Sequence, residues 1–151
     1  MLRKGSLAPN FTLESSLQKE VSLSDYHGSN VVLVFYPADW SPVCGDQIAL
    51  YNEMLSEFEK HNAQIVGISV DSHWCHKAYA KDRNLKFPLL ADFHPKGNVS
   101  TLYDVYNQEE GKSRRALFVI DTSGKIYWSE VFPNSENPGA DGILKALQEL
   151  S

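Results

Sequence analysis

The residues in this chain with most chemistry to offer are its two cysteines, and Cys44 has the more telling setting. It closes the stretch Phe35-Tyr36-Pro37-Ala38-Asp39-Trp40-Ser41-Pro42-Val43-Cys44. An apolar, β-branched run ends at Pro37, a short turn follows, and an amphipathic stretch begins after Ser41. Ser41 reads as a helix N-cap and Pro42 as the first helical residue. Cys44 is then the third helical residue, where free backbone N–H groups and the positive end of the helix dipole converge. Both favour the thiolate, which is the reactive form of cysteine. A buried structural cysteine gains nothing from that position.

Cys75 lies far outside any Cys-x-x-Cys spacing from Cys44. It sits in His73-Trp74-Cys75-His76, whose two histidines are one helical turn apart. Zinc sites usually take about three or four protein ligands at recognised spacings. No further ligand is evident here, so no metal site is expected.

Composition narrows the classes. The chain has 151 residues, 42% of them hydrophobic, a formal net charge of −5 and a pI near 5.5. That length suits one domain, residues 1–151, with a single sizeable core. No basic run or stripe stands out, which argues against nucleic acid as a partner. The longest apolar runs, Val31–Tyr36 and Ala116–Ile120, fall far short of the roughly 20 residues that span a bilayer. The opening Met1-Leu2-Arg3-Lys4-Gly5 leaves no room for a signal-peptide core. The expected location is cytoplasmic, where two cysteines are more often chemical than structural.

The elements that must position Cys44 follow from periodicity. Phe11–Glu14 and Glu20–Leu23 read as short strands flanking a turn. Val31–Tyr36 is a strand buried on both faces. Ile48, Tyr51, Leu55 and Phe58 recur at helical spacing, which predicts one helix from Pro42 to about Glu59. Gln64–Val70 is a second buried strand, and Asp71 or Ser72 caps a helix running to about Asn84. Phe87–Asp92 is extended, and a brief helix surrounds Val99–Tyr103. Ala116–Asp121 and Ile126–Phe132 form a hairpin across Thr122-Ser123-Gly124-Lys125. Asn137-Pro138 is expected to cap a final helix carrying Ile143, Leu144, Leu147 and Leu150. This order predicts an α/β, thioredoxin-like fold: a central mixed sheet, helices on both faces and an N-terminal β-hairpin extension. The Cys44 and Cys75 helices should start at one sheet edge but lie on opposite faces. Their sulfurs would then be roughly 10 Å or more apart, and a disulfide, which needs Cα atoms within about 7 Å, would require both first turns to unwind.

With these residues placed, the chain resembles the peroxiredoxin family. Pro37-x-x-x-Ser41-x-x-Cys44 is similar to the family's active-site pattern, in which threonine or serine lies three residues before the peroxidatic cysteine. Arg115-Ala116-Leu117-Phe118-Val119-Ile120-Asp121 looks like the strand that carries its active-site arginine. Gly5-x-x-Ala8-Pro9-x-Phe11-x-Leu13, Ser69-Val70-Asp71-Ser72 and Phe87-Pro88-Leu89-Leu90-Ala91-Asp92 recur in the family in the same order. Asp92-Phe93-x-Pro95-x-Gly97 and the short C-terminus most resemble its alkyl hydroperoxide reductase E type.

The resemblance implies reduction of hydrogen peroxide or organic hydroperoxides by Cys44, without metal, haem or flavin. It implies a thiol reductant (thioredoxin, glutaredoxin or a low-molecular-weight thiol) and a homodimer paired through active-site loops. Residue chemistry agrees. A thiolate supplies the nucleophile, and the Val43 and Cys44 N–H groups can meet charge on the leaving oxygen. Arg115 can supply a permanent positive charge, Ser41 can orient the peroxide, and Pro37 can shield the sulfur. Adjacent strand residues face opposite sides, so Arg115 and Arg114 cannot both point at the site. The Arg-x-x-Phe spacing favours Arg115. Gln47 either holds Arg115 or faces solvent; Trp40 closes the pocket or packs at an interface. Relatives of the E type often carry one cysteine, so Cys75 is a departure. It is expected to resolve oxidised Cys44 through an intramolecular disulfide, with resolution by an external thiol as the alternative. A peroxide-sensing module is the competing class of function. A thiol-disulfide oxidoreductase is disfavoured by the missing Cys-x-x-Cys.

Overall fold

The computed structural model describes residues 1–151. Two short strands, β1 (Thr12–Glu14) and β2 (Glu20–Ser22), pair antiparallel and lead through a 3₁₀ turn at Leu23–Tyr26 into β3 (Asn30–Phe35). Every residue of β3 is buried. The continuous apolar run demands this, because neither face can be given to water. After β3 come α1 (Pro42–Glu53), α2 (Leu55–Lys60), β4 (Ala63–Ser69) and α3 (His73–Asp82). Then follow β5 (Leu89–Ala91), α4 (Asn98–Leu102) and the small ribbon of β6 (Tyr106–Asn107) and β7 (Lys112–Ser113). The chain closes with β8 (Arg115–Ile120), β9 (Ile126–Phe132) and α5 (Asp141–Leu150).

The main sheet has five strands in the order β5-β4-β3-β8-β9. β3 pairs parallel with β4 and antiparallel with β8. Its alternate residues feed two cores. Val32, Val34 and Tyr36 pack with Ile48, Tyr51, Phe58, Ile143 and Leu147 of α1, α2 and α5. Val31, Leu33 and Phe35 pack with Phe11, Val21, Val99 and Tyr103 from the N-terminal ribbon and the α4 region. This is the thioredoxin-like layering, with helices on both faces and an N-terminal hairpin extension.

Three expectations need correction. The predicted helix 42–59 is two helices. At Met54 the backbone N–H bonds back to the Tyr51 carbonyl, tightening the turn, and α2 restarts at Leu55. Apolar periodicity continues across the break, so spacing alone does not reveal it. Asn137-Pro138 does not cap α5. Asn137 Oδ1 instead accepts the Gly139 N–H at 3.0 Å in an Asx-type turn, and the helix starts at Asp141.

The third correction concerns the cysteine helices. α3 lies on the same face as α1, not the opposite one: its Tyr79 belongs to the core cluster that holds Cys44 and Ile48. The reason is topological. The steps β3 to β4 and β4 to β5 run in one direction across the sheet. Two right-handed crossovers in the same direction place both connecting helices on one face.

Candidate active site

Cys44 sits where the end of β3 hands over to α1, and it has no solvent-exposed surface. Ser41 is the N-cap residue by position and Pro42 follows it at the first helical position. The Ser41 side chain makes no cap hydrogen bond, contrary to its reading as a full N-cap. Its Oγ donates to the Ala38 carbonyl at 3.0 Å, bracing the loop instead. The first intrahelical bond is Gly45 N–H to the Ser41 carbonyl at 2.8 Å. The Val43 and Cys44 N–H groups therefore have no acceptor in the protein. They are the orphan donors of a helix start, and they lie at the cysteine.

Arg115 reaches the same point from the first residue of β8. Its Nη2 donates to Cys44 Sγ at 3.4 Å and to the Asn134 carbonyl at 2.8 Å. Its Nη1 donates to Gln47 Oε1 at 2.5 Å. Arg115 is buried and Arg114 is exposed, as strand alternation requires. Gln47 is also buried; its Nε2 donates to Tyr51 Oη at 3.3 Å, and Tyr51 Oη donates to the Gly139 carbonyl at 2.8 Å. The guanidinium is thus clamped by neutral groups only. A buried cation requires a compensating anion. Among its contacts, Cys44 alone can ionise. A Cys44 thiolate is the anion with which this cation could pair.

Pro37 is buried at the end of β3, beside this cluster in the chain. Trp40 adopts a positive φ of 70° and is about half exposed. Its ring meets Tyr79 edge-on at 4.9 Å between centroids.

Sequence reasoning did not single out the group that anchors this loop. Asp39 is buried and accepts from Tyr36 Oη at 2.6 Å. Its other oxygen lies 2.7 Å from Nδ1 of buried His76, whose Nε2 donates to the Leu90 carbonyl at 2.9 Å. The Asp39 N–H donates to Asp71 Oδ2 at 2.8 Å, and Ser69 Oγ donates to the same oxygen. Active-site loop, α3 and the ends of β4 and β5 are thereby tied together. The only advance signal was His76 one turn after His73. The two diverge: His73 Nδ1 lies 2.6 Å from Glu14 Oε2, so they do not form a shared site.

Cys75 sits in the first turn of α3, where its N–H donates to Ser72 Oγ at 3.2 Å. Its sulfur and the Asp39 and Asp71 carboxylates bring one donor atom each within 4.8 Å of one another. They are the side chains best placed to share a cation, but both carboxylates are already engaged by protein donors. Burial first, then the charges of Asp39 and Asp71, push the Cys75 thiol up to about 11 from an ordinary 9.0. That leaves roughly a hundredfold less thiolate at neutral pH than an unperturbed cysteine has. In a Cys44→Ser background, iodoacetamide should therefore label native Cys75 slowly at pH 8. Labelling should accelerate as pH rises toward 11 and should approach free-cysteine rates in denaturant. Fast native labelling at pH 8 would contradict the carboxylate contact.

A cleft of about 220 Å³, bounded by Leu23, Tyr26, Val31 and Ile120, opens at the opposite end of the sheet. No cysteine lines it, so this cleft and the Cys44–Arg115 cluster lie apart.

Residues 5–129 match the model of the AhpC/TSA family. The chain is 39% identical over 132 residues to alkyl hydroperoxide reductase E of Mycobacterium tuberculosis, covering 87% of this chain and 86% of that relative. It is 41% identical over 152 residues to a Drosophila melanogaster protein named thioredoxin-dependent peroxide reductase, mitochondrial, covering 93% of this chain and 64% of that one. The crystal structure of Enterococcus faecalis AhpC superposes with a TM-score of 0.91 at 26% identity, over 99% of this chain and 92% of that one. With a family match over most of its length and a relative this similar, the chain belongs to the AhpC/TSA family of peroxiredoxins.

Proposed function

We propose that the chain is a thiol-dependent peroxidase in which Cys44 reduces hydrogen peroxide and organic hydroperoxides. The observation that carries this reading is the buried Arg115, whose sole ionisable partner is the Cys44 sulfur. The thiolate attacks one peroxide oxygen in line. An S–O bond forms, the O–O bond breaks, and the other oxygen leaves as hydroxide or alkoxide, which takes a proton to become water or alcohol. The free Val43 and Cys44 N–H groups and the Arg115 guanidinium face the charge that develops. Ser41 orients the peroxide, and Pro37 keeps water from the sulfur. A fully buried sulfur suits a small co-reactant.

Cys75 is the proposed resolving cysteine. Its thiol displaces oxygen from oxidised Cys44, forming the Cys44–Cys75 disulfide and water. Placement of α1 and α3 on one face supports this, because neither helix has to cross the sheet. The suppressed thiolate sets the condition: Cys75 must leave Asp39 and Asp71 before it can attack. That same suppression favours a second reading, in which an external thiol resolves Cys44. The reductant is then thioredoxin, glutaredoxin or a low-molecular-weight thiol; the Drosophila relative is named thioredoxin-dependent. A homodimer and a reducing compartment such as the cytoplasm complete the proposal. A peroxide sensor would oxidise equally fast but would not turn over with such a reductant.

One equivalent of peroxide added anaerobically, followed by intact mass and peptide mapping, separates these outcomes. Wild type should lose two free thiols and gain the Cys44–Cys75 linkage. Cys75→Ser should react once, stall as sulfenic acid and over-oxidise more readily to sulfinic acid. A free Cys75 in oxidised wild type would assign resolution to an external thiol.

A further inference from the structure

Two buried polar side-chain atoms have no hydrogen-bond partner in the protein: Arg115 Nε and Tyr79 Oη. The first belongs to the guanidinium already set on the Cys44 sulfur. The second is a hydroxyl from another element, and buried hydroxyls ordinarily find a partner. Tyr79 has no exposed surface. Its ring is pinned by the edge contact with Trp40 and by the Arg83 guanidinium 5.3 Å from its centroid.

The hydroxyl stands beside Gly45, the residue after the nucleophile. A Cβ placed on Gly45 would stand 3.5 Å from Tyr79 Oη and 3.2 Å from Arg83 Nη1. The first distance is ordinary van der Waals contact, so α3 brings the phenol beside the first turn of α1. Tyr79 also lies four residues beyond Cys75, on the same side of α3. The donor therefore stands beside the nucleophile's turn and on the helix that carries the second cysteine.

Reduced Cys44 offers a sulfur that Arg115 already engages. Oxidation adds an acceptor that the reduced protein lacks: one oxygen on Sγ. We propose that the Tyr79 hydroxyl is the hydrogen-bond donor for the oxygen that Cys44 gains on reaction with peroxide. This rests on the peroxidase reading of Cys44. Burial holds the phenol up to about 12, so it remains a donor across the working pH range. A donor on that oxygen withdraws charge from the sulfur. It slows attack by the sulfenate on a second peroxide and makes the oxygen a better leaving group for an incoming thiol.

The test is Tyr79→Phe in a Cys75→Ser background, so that sulfenic acid accumulates in both proteins. The rate of the first oxidation should stay within about twofold, and reduced protein should melt no lower, because no bond is lost. Over-oxidation by a second peroxide should accelerate about three- to tenfold, the worth of one hydrogen bond, while trapping by a 1,3-diketone, whose carbon nucleophile displaces the same oxygen as a thiol would, should slow by a similar factor. Unchanged over-oxidation and trapping would overturn the proposal. So would a lower melting temperature of the reduced variant with a slowed first step, which would mean the hydroxyl is already engaged there. If neither protein gains one oxygen on Cys44, the peroxidase reading itself fails, and the failure is visible before Tyr79 is compared.

Discussion

Cys44→Ser should reduce the second-order rate with hydrogen peroxide by at least about a thousandfold, to the level of solvent thiol contamination. A serine hydroxyl does not ionise at neutral pH, and no other residue at the end of β3 is a nucleophile. The substitution changes one atom and fits the same space, so the loss is chemical. It should also lower the melting temperature. Arg115 would keep its contacts to Gln47 and the Asn134 carbonyl but lose its only ionisable neighbour. A buried cation left without an anion is destabilising. Both effects are read from one protein preparation, by stopped-flow kinetics and by thermal unfolding. Retention of more than about a tenth of the wild-type rate would remove Cys44 from the nucleophile role. An unchanged melting temperature would mean that the cation and the sulfur do not stabilise each other.

Much of this arrangement is written locally in the sequence. Val31–Tyr36 declares a doubly buried strand because six consecutive apolar residues leave no face for water. Ser41-Pro42 declares a helix start, and the residue after a strand end and a cap falls in the first turn. Strand alternation lets only one of Arg114 and Arg115 face the site, the family's Arg-x-x-Phe spacing favours Arg115, and their burial differs as alternation requires. What local patterns do not carry is the pairing of distant polar groups. Asp39 on the loop and His76 on α3 are 37 positions apart and meet only when the β4–α3–β5 crossover closes. Periodicity marked His76 only as a helical residue near His73. The same-face packing of α1 and α3 depends on the direction of successive crossovers, which requires the strand order β5-β4-β3. Nothing in the sequence singles out Tyr79; its unpartnered hydroxyl exists only in three dimensions. Ser41 shows the converse: cap position was legible, but the side chain bonds back to Ala38 because the loop, rather than the helix, takes its hydroxyl.

Arg115→Ala should slow peroxide reduction by about a hundred- to a thousandfold, the cost typical of removing one preorganised donor from a developing negative charge. In the proposed mechanism the guanidinium acts twice. In the resting protein its Nη2 donates to the sulfur at 3.4 Å. During attack the same permanent charge faces the oxygen that leaves. Alanine removes both and leaves Gln47 Oε1 and the Asn134 carbonyl without their donor. Lysine keeps the charge but not the fork, since its point-like ammonium cannot serve Gln47, Asn134 and the sulfur together. Arg115→Lys should therefore fall between alanine and wild type in rate. Arg114→Ala is the internal control: that side chain is exposed on the other side of the chain and should leave the rate within about twofold. The measurement is the peroxide rate across pH 5–9 for all three variants, with circular dichroism to confirm folding. Arg115→Ala should need a higher pH than wild type to reach its own maximum rate, because the thiolate has lost its cation. If the pH profile does not move, the contact between Arg115 and Cys44 is structural and the nucleophile is made by the helix start alone. If Arg114→Ala shows the larger loss, strand register at β8 is not what places the cation, and the assignment of Arg115 fails.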